Sequence, residues 1–296
     1  MLMYADDTTL YCNINTLINE SIINDELDKI KMWLSANKLS LNIGKTKYMV
    51  YHSINKQIVY PNLKINNIEI ERVQQFNFLG LLLDNHLHWK LHIDHISSKI
   101  SKVTGIMYKL KLSYPKPILL TLYNTLIVPH FHYCLLTWGS LVKKNHKIHM
   151  LQKKAIRIIS NAEFTAHTEP LCKSLRIVQV PDMFRIALWK FYYKLINHTL
   201  PTCFNYIIPH LPLICNYYTI RKPVFTLPKL NIELMRMSLK YQLLTLLNNE
   251  YGSILITAKV HTHSFLGFKL FLKNTIIDLY VDNCNVVNCY CRRQII

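Results

Sequence analysis

The apolar residues of this 296-residue chain change period near Asp84, and that switch limits the folds open to it more than any other feature. Ahead of Asp84 they come in short bursts of strand formers bounded by Asn, Asp or Gly; beyond it they recur at helical spacing, as in Ile93, Ile96, Ile100, Val103 and Met107. Pro115, Pro117, Pro129, Pro170, Pro181, Pro201 and Pro209 punctuate the helical part. An α+β chain is expected, with small strands first and helices after them. Met1–Tyr4 and Thr9–Cys12 flank Ala5-Asp6-Asp7-Thr8, which predicts a β-hairpin with its carboxylates at the tip. Leu17, Ile23, Leu27, Ile30, Trp33 and Leu34 then predict an amphipathic helix with Asn37 as its C-cap. Leu39–Asn42 and Tyr48–Tyr51 read as strands joined by a turn at Gly44, while Asn66-Asn67 and Phe76–Leu83 suggest further strands.

Charge points to the partner. Thirty-five Lys and Arg against seventeen Asp and Glu give a formal charge of +18, a field that attracts polyanions, and nucleic acid is the first candidate. No acid occurs between Asp94 and Glu163, a stretch that carries eleven Lys and Arg interleaved with Tyr108, Tyr114, Tyr123, Tyr133 and Trp138. The most apolar window, Pro117–Leu136, is broken by Asn124, Pro129, His130 and His132, so it reads as a helix buried in protein and no membrane partner is expected. Eight cysteines without a signal peptide imply reduced thiols and an intracellular location, nucleus or cytoplasm; Cys284, Cys289 and Cys291 form C-x4-C-x-C, which lacks the usual zinc-knuckle spacing. His88 and His92 stand four apart, a spacing that can ligate a metal, although isolated histidines explain them as well.

Tyr4-Ala5-Asp6-Asp7 carries the chemistry. Two adjacent carboxylates on a tight hairpin repel one another unless a cation neutralises them, and Mg2+ is the expected cation. Polymerases use two such ions about 3.5–4 Å apart to activate the primer hydroxyl and hold the triphosphate. An exposed Asp-Asp turn would use the same letters, so the segments downstream of the hairpin decide between the two. The run from Trp33 and Leu34 through Asn37, Leu39, Leu41, Asn42, Gly44, Lys45 and Lys47 to Met49 comes first, and Val73–Asp84 with Leu87, Trp89 and His92 comes next. In that order these segments resemble motifs C, D and E of the reverse transcriptases of jockey-like non-LTR retrotransposons. The resemblance continues through Tyr123–Pro129, Tyr133, Trp138-Gly139 and Leu151–Arg157, fades after Arg176, and returns weakly near Arg221 and over Ser264–Tyr280.

The resemblance implies a partial reverse-transcriptase palm (hairpin, helix and short strands) over residues 1–84, a helical thumb over 85–165 and a helical C-terminal extension over 166–296. It implies that Asp6 is the main metal ligand and Asp7 an accessory one, that Tyr4 and Ala5 lie under the primer terminus, and that Lys45 protonates the departing pyrophosphate. Phe78, Leu79 and Gly80 would shape the primer grip, although a buried strand with a bulge accounts for the same letters. Asn77 stands where the family often has lysine. Lys143, Lys144, Lys153, Lys154 and Arg157 would contact phosphates of an RNA template and DNA primer, with deoxynucleotides as substrates of the parent enzyme. The family's fingers and its first palm aspartate lie upstream of the hairpin, so the expectation is a fragment of an RNA-directed DNA polymerase that is inactive alone. The alternative is a non-enzymatic basic nucleic-acid-binding protein derived from a retroelement. Gly44-Lys45-Thr46 is no P-loop, because Leu39 stands where the first glycine is required.

Overall fold

The computed structural model describes residues 2–5, 7–12, 20–55, 57–142, 146–207, 225, 227–229, 233–250 and 264–282. The cysteine cluster at Cys284, Cys289 and Cys291, and Arg221, fall outside them. The chain divides into two compact units, Met1–Leu91 and His92–Ile296. Among the described residues every strand lies at or before Asp84, and helices dominate the rest.

The first unit is built from two-residue turns. β1 (Leu2–Tyr4) pairs antiparallel with β2 (Asp7–Thr9), placing Tyr4 opposite Asp7 and leaving residues 5 and 6 as the loop. α1 (Glu20–Ala36) buries Ile23 and Leu34, with Leu27 and Ile30 half-buried, but leaves Trp33 exposed. Asn37 follows the last helical residue as its C-cap, its side-chain amide donating to the Trp33 carbonyl at 2.8 Å, and Lys38 after it takes the left-handed conformation (φ 59°) that closes helix ends. Leu39–Asn42 is not a strand. Its Asn42 side chain accepts from the Lys45 backbone N–H at 3.1 Å, turning the chain into a 3-10 turn at Ile43–Lys45, and only Lys47–Tyr48 (β3) is extended.

β3 runs parallel to β6 (Glu71–Arg72). β4 (Lys64–Ile65) and β5 (Ile68–Glu69) form a hairpin across Asn66-Asn67, whose φ values of 55° and 61° fit the mirror-image turn that matches strand twist. β7 (Gln75–Phe78) and β8 (Leu81–Asp84) form another across Leu79-Gly80, at φ 46° and 87°. Leu79-Gly80 is therefore an exposed two-residue turn with half-buried Phe78 ending β7 beside it, and not a buried strand with a bulge; paired strands on both sides leave room for two residues only. Each ladder is an isolated two-stranded sheet, and the unit's core is correspondingly small: Ile23, Leu63, Ile65 and Ile70, with Leu27, Leu41, Ile43 and Tyr48 packed against them. Asn24 ties helix to hairpin by accepting the Lys64 N–H at 2.9 Å.

The second unit is helical. α2 (Lys90–Leu110) buries Ile93, Ile96, Ile100 and Met107, with Thr104 taking the position next to half-exposed Val103. His92 is buried against the Trp138 ring, whereas His88 precedes the helix and contacts Asp84, so the two do not form a helical i, i+4 pair. Pro117–Leu136 is not one helix. α3 (Lys116–Leu122) passes through a π-turn at Tyr123–Ile127 into α4 (Val128–His132), where Pro129 removes a donor; the chain then reverses at Cys134 (φ 48°) before α5 (Leu135–Trp138). The two halves are bent by 57°, and no single helix among the described residues is long and apolar enough to cross a membrane. Tyr123, Ile127, Phe131, Leu135 and Trp138 are buried. α6 (His146–Ile159), α7 (Thr168–Leu175), α8 (Val180–Ile196), α9 (Glu233–Met237), α10 (Leu239–Glu250) and α11 (Phe265–Asp278) complete the unit.

Two segments of the family resemblance prove to be packing devices. A methyl group at Gly139 would collide with the Phe184 ring of α8, so Trp138-Gly139 lets a turn lie directly on a helix. Gln152 is fully buried. Its amide donates to Tyr123 Oη and to the Val178 carbonyl, both at 2.9 Å, and its oxygen accepts the Val180 N–H at 2.8 Å, joining α6 to the π-turn and the start of α8.

Candidate functional site

The hairpin tip is the first candidate. Alternation of Leu2, Met3 and Tyr4 with Thr8 and Thr9 across the ladder makes the strands, and Ala5 adopts a left-handed conformation at φ 51°, which lets two residues close the turn. Asp6, in that loop, lies outside the described residues; Asp7 begins β2 as an exposed side chain. Tyr4 is 68% exposed, and Leu2 and Met3 are also exposed, so the apolar side chains of this hairpin are available to another surface. Neither strand of the hairpin pairs with a third among the described residues.

Lys45 is presented on the outside of the 3-10 turn, whose ends are held by Ile43 in the small core and by the Thr46 hydroxyl donating to the Asn42 carbonyl at 2.9 Å. No hydrogen bond or ion pair among the described residues joins Lys45 to Asp7. Leu79 and Gly80 sit on their own turn with Phe78 half-buried beside them. The three segments assigned to catalysis and primer holding thus all belong to the first unit, on two separate two-stranded ladders and one turn. Magnesium demands several well-placed oxygens. Among the described residues Asp7 is the one acidic side chain of the tip, and no group of three or more His, Cys, Asp or Glu is assembled to hold a metal. These residues by themselves do not fit a magnesium ion.

The basic surface of the second unit is the other candidate. Lys143 and Lys144 lie outside the described residues. On α6 the buried stripe of Ile148, Gln152, Ala155, Ile156 and Ile159 leaves Lys154 exposed and Lys153 half-exposed. Arg157 is engaged within the fold: Nε donates to the Ala166 carbonyl at 2.8 Å, the guanidinium lies 5.9 Å from the Phe164 ring centre, and burial lowers its pKa. Lys147 pairs with Asp94 at 2.6 Å, tying α6 to α2. Sequence reading did not single out Lys99 and Lys102, which share the exposed side of α2 with His95, opposite its buried stripe. Their signal was present in the helical period, which places residues seven apart on one face.

No protein-family model matches the chain, and no solved structure matches it. It is similar to the RNA-directed DNA polymerase from mobile element jockey of Drosophila funebris, with 23% identity over 202 residues that make up 66% of this chain and 22% of that protein. The jockey polymerase of Drosophila melanogaster matches with 24% identity over the same shares. The probable RNA-directed DNA polymerase from transposon X-element of Drosophila melanogaster is 23% identical over 180 residues, 60% of this chain and 20% of that protein. The resemblance read from the motifs is thus found in the polymerases of non-LTR retrotransposons, and the chain spans about a fifth of the length of these relatives.

Proposed function

We propose that this chain is a segment of a non-LTR retrotransposon reverse transcriptase, comprising part of the palm over residues 1–84, the thumb over 85–165 and a C-terminal extension over 166–296. The observation that supports the reading most is the hairpin whose two-residue loop holds Ala5-Asp6 between paired Tyr4 and Asp7, in a chain similar over about two thirds of its length to the jockey polymerases. Asp6 is assigned the metal-facing role and Asp7 the accessory one; Lys45 is assigned proton donation to the leaving pyrophosphate. Tyr4, Ala5 and the Phe78-Leu79-Gly80 turn are assigned to the primer, and the exposed lysines of α2 and α6 to the phosphates of an RNA template and DNA primer.

Two-metal transfer needs carboxylates from both walls of a site. The 296-residue chain is therefore expected to give no primer extension on its own with either Mg2+ or Mn2+ present. Fused in frame to the upstream fingers and palm of a related element, it should extend primers. Asp6→Ala should abolish that activity, and Lys45→Ala should slow turnover by roughly tenfold or more, within the range of general acid catalysis. Extension by the unfused chain, or unchanged extension by the fused Asp6→Ala variant, would refute the assignment. The basic surface of the second unit also supports a second reading, a nucleic-acid-binding module without catalysis. Template–primer affinity that ignores both Mg2+ and Asp6→Ala favours that reading.

A further inference from the structure

The second unit has a half-open cavity of about 320 Å³ between α3, the π-turn, α4, α7, α8 and α11. Its charges are one-sided: Arg176, Lys190, Lys269 and Lys273 line it, and no Asp or Glu does. Lys190 is half-buried in the middle of α8, where burial first, then Lys269 and Lys194, lower its pKa. His132 shares the rim, partly exposed; the protein packed around it, then Lys190 and Lys269, hold its pKa down. Lys269 and Lys273 stand one turn apart on α11 as like charges at i, i+4, an arrangement that disfavours a helix unless an anion lies between them. Arg176 ends α7 in the left-handed conformation (φ 52°) usually left to glycine, and its Nη2 donates to Asn274 Oδ1 at 2.6 Å, which holds the guanidinium against α11.

The remaining wall is apolar, formed by Leu120, Val128, Ile177, Ile186 and Leu270, with Asn124 as a polar group. A bare polyphosphate would meet the lysines and leave this wall without a partner. A duplex is far too large for the space. A nucleotide answers both halves, its phosphate among the cations and its base against the apolar side chains, and the volume suits a single unit of that size.

We propose that the cavity lined by Arg176, Lys190, Lys269 and Lys273 binds one nucleotide through its phosphate. The nucleotide is either free or part of a single strand, and recognition is the same in both cases. The site belongs to the second unit and the hairpin to the first, and the inference does not rest on the polymerase reading.

The test uses the full chain in calorimetric titrations at physiological salt with inorganic phosphate, uridine monophosphate and an eight-residue oligouridylate. Either uridine probe should bind more tightly than inorganic phosphate, because it adds contact with the apolar wall. Lys190→Met, which keeps the buried stem, and the exposed changes Lys269→Gln and Lys273→Gln should each weaken it by about tenfold, the loss of one charge-assisted contact. Lys29→Gln on α1, a lysine paired with Glu26, should not. Binding of the monophosphate identifies a free nucleotide as sufficient; binding of the oligonucleotide alone, lost in the same variants, identifies a strand as the source. Circular dichroism checks each fold, and the solvent-exposed glutamine variants carry the test should Lys190→Met misfold. Affinity unchanged in Lys269→Gln and Lys273→Gln, or no binding by any probe, overturns the proposal.

Discussion

The two units solve the same problem with very different means. In the first, the described strands form four separate two-stranded ladders, the core cluster has four buried members, and large apolar side chains at Leu2, Met3, Tyr4, Ile22, Met32 and Trp33 stay exposed. In the second, Trp138, Trp189, Tyr123, Phe131 and Phe268 are almost completely buried, and a polar hub at Gln152 satisfies the backbone where α8 begins. Size alone separates them, since a small unit buries a smaller share of its apolar surface than a large one. Among its described residues the first unit leaves strand edges unpaired and large apolar side chains exposed. The second has a core of its own.

The largest effect that would break this comparison is independent folding. Expressed separately, residues 86–296 should melt cooperatively and give a dispersed amide spectrum, while residues 1–85 should remain unfolded or aggregate. A cooperative transition in the isolated 1–85 piece would show that its small core suffices.

Next in size are the two amide side chains that tie helices to neighbouring backbone. Gln152→Ala leaves Tyr123 Oη, the Val178 carbonyl and the Val180 N–H without their partner inside the second unit, and should cost about 3 kcal/mol. Calorimetry should read this as a fall of roughly 6–12 °C in Tm. Asn24→Ala removes the partner of the Lys64 N–H at a less buried place and should cost only about 1 kcal/mol. Equal losses would mean that burial does not distinguish the two units.

Titration sharpens the same contrast. Burial, followed by His95 and Lys99, holds the His92 pKa below its ordinary 6.5. Between 6.5 and that lower value the unfolded chain takes up the proton first, so stability should fall as pH drops through this window. At the other end, burial pushes the Cys172 thiol up to about 12 from an ordinary 9.0. The unfolded chain then loses its proton first, and stability should fall as pH rises from 9 towards 12. Tyr123 and Tyr280 are raised as well, Tyr123 chiefly by burial, Tyr280 by burial and then by Asp182, to which its hydroxyl donates at 2.6 Å. Tm measured against pH should show both arms; His92→Phe should flatten the acid arm and Cys172→Ala the alkaline one. An unaltered acid arm in His92→Phe would move its origin to other groups, His130 first.

How much the sequence disclosed depends on the range of the interactions involved. The hairpin at Tyr4–Asp7 was legible because strand formers and turn residues act over four positions, and the stripe on α2 because a helix repeats its face every turn. The C-cap of α1 at Asn37 was legible in the same way, although the left-handed residue after it is Lys38, where glycine is usual. Leu39–Asn42 was misread because alternating Leu39 and Leu41 looks like a strand, whereas the Asn42 side chain draws the backbone into a turn. Gln152 carried a motif resemblance but no hint that it is the hub of three backbone and side-chain partners, since these lie 26–29 residues away. The cavity was beyond reach for the same reason. Arg176, Lys190, Lys269 and Lys273 meet only after α7, α8 and α11 have packed, and each reads alone as a solvated side chain.

The smallest expected effect concerns the turn at Leu79-Gly80. Leucine at φ 46° is unusual, because a side chain there crowds the carbonyl oxygen, and asparagine or glycine is the ordinary choice for the first place of such a turn. The neighbouring hairpin obeys that preference with Asn66-Asn67, so the first unit contains its own control. Leu79→Asn should therefore stabilise the unit by about 1 kcal/mol, while Asn66→Leu should destabilise it by a similar amount. If leucine is kept at a strained position for contact with a primer, as the resemblance implies, Leu79→Asn in the fused polymerase should gain stability and lose affinity for template–primer together. Denaturant midpoints set beside primer-binding constants decide it. A variant that gains stability at full affinity would leave Leu79 without a part in the grip, and one that loses stability would mean that its contacts outweigh the backbone strain.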